Sequence, residues 1–177
     1  MEKDWITVLQ RKDQIAKVLD TNQETARFGL ALSEEEAAEI VAARDNVLKE
    51  QRRLEFGPTI VPKIIYAFCD SAYIERDNYA DTILRLQEMF FTFRNETMDE
   101  MSDDELLGFM REQFENVCSG DLDYLESTVL PNFAEVVREG YRGYKSADGR
   151  GAYEQFDEVK RWDEELYRTA LKDLVWK

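Results

Sequence analysis

The chain carries 38 carboxylate side chains, 23 basic ones and no histidine, and that inventory decides most of the chemistry open to it. Without imidazole there is no His general base, no His-activated nucleophile and no His metal ligand. Carboxylates alone can hold hard cations such as Mg²⁺, Ca²⁺ or Mn²⁺. Asp121-x-Asp123-x-x-Glu126 opens like a calcium loop but lacks the later ligands and the turn glycine, so Asp121 and Asp123 read as a helix start. Cys69 and Cys118 lie far apart and outside any C-x-x-C spacing, which suits buried, reduced thiols and neither a disulfide nor a zinc pair. No catalytic residue, metal ligand or cofactor is expected.

Positive charge is scarce enough to be informative. Arg44 stands on an apolar helical stripe, one turn after Ile40 and Val41 and one turn before Val47 and Leu48. A guanidinium there needs a carboxylate, either internal or from a bound ligand, because an unpaired buried charge is costly. Arg94 is a second candidate anion contact. The loop from Gly140 to Gly151 holds Tyr141, Arg142, Tyr144 and Lys145; this basic, aromatic stretch matches neither phosphate-binding glycine motif but suits ligand contact at a surface. Asp70-Ser71 with Tyr73 reads either as a pocket rim or as a cap on the next turn.

Negative charge is concentrated. Between Asn95 and Glu126 eleven acids face the single base Arg111, which leaves −10 of the chain's −15. Glu96, Asp99, Glu100, Asp103, Asp104, Glu112 and Glu115 are the candidates for an acidic face. Such a face is either solvated helix surface or a dock for a basic protein surface, and more remotely an imitation of a phosphate backbone. Direct nucleic-acid binding is excluded as a general function, since −15 repels phosphate.

The elements that must position these residues read as helices. Trp5, Val8, Leu9, Ile15 and Leu19 have helical spacing, giving an N-terminal helix over 1–20, loosely attached to the rest. Thr21 with Glu24 predicts a capping box before a turn that stops at Gly29. Ser33 with Glu36 predicts a stronger one, opening a helix that runs to about Leu54 with Ala37, Ile40, Val41, Val47, Leu48 and Leu54 inside. Residues 59–69 are ambiguous, β-branched but with Pro62 near the start, and helix is preferred because no second strand exists to pair with it. The helix from Asn78 to Arg94 is apolar on most of its circumference. Ser102 with Glu105 caps another, Pro131 predicts a break or kink near Leu130, and a last helix carries Phe156, Val159, Trp162, Leu166, Ala170 and Leu174.

The chain is thus expected to be all-α, an irregular single-domain bundle of about seven or eight helices over 1–177, with 140–151 as a glycine-rich loop. At 44% hydrophobic residues it has the composition of a folded domain. No apolar run approaches the roughly 20 residues that cross a bilayer, and no export signal opens the chain, so a cytoplasmic protein with no membrane partner is expected.

The stretches Phe28-Gly29-Leu30-Ala31-Leu32-Ser33, Arg53-Leu54-Glu55-Phe56-Gly57, Phe68-Cys69-Asp70-Ser71-Ala72-Tyr73-Ile74, Phe93-Arg94-Asn95-Glu96 and Asp103-Asp104-Glu105-Leu106 resemble a family of small acidic bacterial proteins of unknown function, found mainly in anaerobic Gram-positive bacteria. The resemblance runs from about Thr21 to Gly120 and implies a bacterial cytoplasmic setting, with no activity to transfer. The residues themselves favour a non-catalytic helical interaction module that uses its acidic face. The alternatives are an enzyme or sensor holding a small anionic ligand between helices, and a homodimer joined through the helix from Asn78 to Arg94.

Overall fold

The computed structural model describes residues 2–55 and 60–139. Among them every regular element is helical and none is a strand, which establishes the all-α class. In chain order they are α1 (Glu2–Asp20), α2 (Asn22–Thr25) with a 3₁₀ turn at Ala26–Phe28, α3 (Glu34–Glu50), α4 (Ile60–Phe68), α5 (Tyr79–Glu96), α6 (Asp103–Asn116), α7 (Leu122–Tyr124), a π turn at Leu125–Val129, and α8 (Leu130–Glu139). The loop 140–151 and the helix expected beyond it lie outside the described residues. The chain divides into two compact units, one of Met1–Phe91 and one beginning at Thr92.

In the first unit α3 starts at the capping box expected from Ser33 and Glu36: Glu36 N–H donates to Ser33 Oγ at 3.1 Å and Ser33 N–H donates to the Glu36 carboxylate at 2.8 Å. Ala37, Ile40, Val41, Val47 and Leu48 are buried as expected. The helix ends at Glu50 and not near Leu54, because Arg52 turns left-handed (φ 53°) and Arg53 N–H donates back to the Leu48 carbonyl, closing the helix end in the Schellman manner. Leu54 therefore leaves the stripe and is exposed.

Residues 60–68 are helical. Pro62 lies in the first turn, where its missing N–H costs no helical bond, and Ile60, Val61, Ile64, Ile65 and Phe68 are buried. The box expected at Thr21 does not form. Thr21 is itself in helical conformation where an N-cap takes an extended one, and its hydroxyl donates back to the Val18 carbonyl at 2.6 Å without capping the next turn. Asn22 does the joining instead: its amide donates to the Leu32 carbonyl at 2.9 Å and its carbonyl oxygen accepts from Leu32 N–H at 2.8 Å. The broad apolar surface of α5 is consumed within the chain, since Tyr79, Ile83, Leu86, Met89, Phe90, Phe91 and Phe93 are all buried.

In the second unit the Ser102–Glu105 capping box opens α6, which buries Leu106, Leu107, Phe109, Met110 and Phe114. Phe109 stacks on Phe133 of α8 with ring centroids 3.8 Å apart. Pro131 neither breaks the chain's course nor ends a helix. The turn before it widens, so that Leu130 N–H donates to the Leu125 carbonyl five residues back, and the π turn makes room for a ring that would clash in regular α-helix.

Candidate functional site

The acidic residues gather where α5 ends and α6 begins. Thr97 closes α5: its N–H and its hydroxyl both reach the Phe93 carbonyl, at 2.9 and 2.8 Å. Met98 and Asp99 then take left-handed conformations, with φ of 54° and 56°. An L-residue there costs about 1 to 2 kcal/mol, a cost that Asp tolerates better than Met. Arg94 holds the turn in place. Its Nε donates to Asp99 Oδ1 at 2.9 Å, and its guanidinium also pairs with Asp103 at the start of α6. Met98 is left 57% exposed, an apolar knob among acids.

Of the seven acids expected on this face, four are therefore placed by cations of the same unit. Asp99 and Asp103 share Arg94, Glu96 pairs with Arg138 of α8, and Glu115 pairs with Arg111 one turn earlier at 3.2 Å. Glu100 and Asp104 are exposed and Glu112 is half-buried. Helical spacing sets Asp104, Glu112 and Glu115 on the side of α6 opposite buried Leu106, Met110 and Gln113. Even with these pairs, residues 92–139 hold thirteen acids against three bases, a balance of −10.

Arg44 is engaged elsewhere. Its side chain is 6% exposed; Nε donates to Glu55 Oε2 at 2.6 Å and Nη1 pairs with Asp45 at 3.2 Å. The other Glu55 oxygen accepts from Ile60 N–H, so one carboxylate ties α3 to the first turn of α4. Arg44 and Arg94 each have two carboxylates within their own unit, and an anion arriving at either would have to displace one. Ser71 Oγ accepts from Tyr73 N–H at 3.2 Å, the capping use of that motif. Tyr141, Arg142, Tyr144 and Lys145 lie outside the described residues.

Three polar residues that organise the first unit are not picked out by sequence reasoning: Asn22, Glu55 and Gln87. Gln87 is fully buried and donates to the Ile40 carbonyl at 3.0 Å, linking α5 to α3. Its signal is an amide that falls off the polar row of Asp81, Arg85, Glu88 and Thr92, on the apolar side of the helix. For Glu55 it is the acid eleven residues beyond a buried arginine. Burial also moves two weak acids. The Tyr79 phenol is pushed up to about 12 by desolvation, partly offset by the Thr25 hydroxyl, and the Cys118 thiol is pushed up to about 12 by desolvation and by Asp121. Neither is poised to ionise near neutral pH, so neither is set up as a nucleophile or base.

Among the described residues no three Asp, Glu or Cys side chains converge as a metal site, and no helix is long and apolar enough to cross a membrane. What the two units define is an all-helical protein with a concentrated acidic surface. Residues 17–143 match the model of a family of unknown function, DUF6323, and the chain belongs to that family. No curated protein and no solved structure matches it.

Proposed function

We propose that the chain is a non-catalytic interaction protein of the cytoplasm that docks a basic segment of another protein on the surface formed by the end of α5, the turn 97–102 and α6. The observation that supports this reading is the exposed Met98 on a turn that also carries Asp99 and Glu100, between Glu96 at the end of α5 and Asp103 and Asp104 at the start of α6, and pinned by Arg94. A partner carrying Lys or Arg around an apolar residue matches both parts of that surface. Acids held in place before binding lose little freedom on binding, and −10 in 48 residues steers a basic partner toward them.

The test is capture from cell lysate at 50 and 500 mM salt, with wild type beside a Glu100→Lys/Asp104→Lys variant. These two side chains are exposed, so the fold should be unaffected, which circular dichroism checks. Wild type is expected to retain a basic protein at low salt and release it at high salt, where screening shortens to about 3 to 5 Å. Capture of the same protein by the variant, or no salt-sensitive capture by wild type, sinks the reading.

A further inference from the structure

Of the six sulfur-bearing side chains among the described residues, five are shut away: Met89, Met101 and Met110 are 1, 2 and 0% exposed, and Cys69 and Cys118 are buried. Met98 is the exception, at 57%. The turn it stands on is closed without its side chain. The N–H groups of Met98, Asp99 and Glu100 donate to the carbonyls of Asn95, Arg94 and Thr97 at 2.9, 3.1 and 3.1 Å, and Arg94 Nε holds Asp99 at 2.9 Å. The β-carbon of Met98 makes its left-handed conformation (φ 54°) a strained one, where glycine would carry no strain. The position thus presents to solvent a thioether that makes none of the bonds closing the turn, at a backbone angle that disfavours it.

We propose that Met98 is a reversible oxidation site that switches the acidic surface off. This rests on the docking reading, in which Met98 is the apolar part of that surface, and it names how the surface is regulated. The oxidant is a peroxide. The thioether sulfur attacks one peroxide oxygen, the O–O bond breaks, the proton on the transferred oxygen passes to the departing hydroxide, and the products are sulfoxide and water. Two electrons leave sulfur and reduce the peroxide. Sulfur becomes more positive as it attacks, and a unit whose described residues sum to −10, with Asp99 and Glu100 on the same turn, favours that charge. The product is a polar, chiral group in place of a flexible apolar one, so it stays hydrated where an apolar residue of the partner would have covered it. The return step takes two thiols, which become a disulfide while the oxygen leaves as water.

Hydrogen peroxide on the full chain is the probe, with peptide mass spectrometry following sulfoxide at Met89, Met98, Met101 and Met110. Met98 is expected to oxidise several-fold faster than the other three, with the circular dichroism unchanged. After peroxide is removed, salt-sensitive capture from desalted lysate should fall by about ten-fold, the worth of one apolar side chain in a contact, and return after treatment with methionine sulfoxide reductase and dithiothreitol. Met98→Leu should capture like wild type and keep doing so after peroxide. Equal oxidation of all four methionines in the folded chain, or capture that survives sulfoxide at Met98, overturns the switch and leaves the docking reading standing. A loss on peroxide treatment that Met98→Leu shares overturns it equally. No salt-sensitive capture by the unoxidised chain sinks the docking reading, and the switch with it.

Discussion

The two units handle charge in opposite ways. Residues 1–91 carry seventeen acids and twelve bases, and residues 92–139 carry thirteen acids and three bases. The first unit takes polar groups inside and gives them internal partners: Arg44 on Glu55 and Asp45, the Gln87 Nε2 on a backbone carbonyl, Thr21 and Thr25 on the carbonyls of Val18 and Leu30, with the Gln87 Oε1 left without one. The second packs phenylalanine on phenylalanine, with its ion pairs lying toward the surface. A buried charge with its partner removed is far more costly than a surface charge with its partner removed. The units should therefore answer the same kind of substitution very differently.

The largest effect is expected in the first unit. Glu55→Ala leaves Arg44 with Asp45 alone, takes the acceptor from its buried Nε and frees the Ile60 N–H, and should destabilise by about 3 kcal/mol in urea unfolding. Glu100→Ala in the second should stay within about 0.5 kcal/mol. Comparable losses for both would erase the contrast.

Alkaline pH gives the next effect, one group from each unit. Cys118 and Tyr79 are both held up to about 12, from ordinary values of 9.0 and 10.0. The unfolded chain releases these protons first, so their contribution to stability is complete below pH 9 and is lost as pH rises toward 12. Urea midpoints at pH 7, 9.5 and 11 should fall steadily. Cys118→Ala should flatten the first part of that fall and leave the part due to Tyr79.

Smallest is Met98→Gly, which relieves a left-handed methionine and should raise stability by about 1 kcal/mol. It also removes the exposed apolar side chain from the acidic surface, so partner capture should fall while the thermal midpoint rises. A variant that gains stability and keeps full binding would detach Met98 from the proposed docking surface.

Elements with local signals are legible in the sequence alone. Ser33 with Glu36 and Ser102 with Glu105 are two-residue devices whose geometry follows from spacing, and both form. Arg44 is recognisable as buried from its neighbours one turn away. Its partner is not, because Glu55 reaches it only after Arg52 has reversed the chain, and a left-handed arginine carries no sequence mark. Thr21 shows the converse: the box pattern is present, but the residue is 1% exposed and helical, so tertiary burial overrides the cap. At the acidic surface the charges are countable, while their pairing through Arg94 and Arg138 depends on tertiary placement.

The π turn before Pro131 has a consequence for how this chain can vary. Five residues fill a space where regular helix would hold about four, so everything after Val129 is rotated by roughly 100° relative to an uninterrupted helix. Phe133, Ala134 and Val137 face the core because the wide turn absorbs that extra residue. Removing one residue from 125–129 would restore the ordinary ladder and leave Phe133 facing Phe109, but it would drive the proline ring into the carbonyl behind it. Length and proline are thus coupled here: this stretch can shorten by one with the apolar positions of α8 kept, provided that Pro131 is replaced.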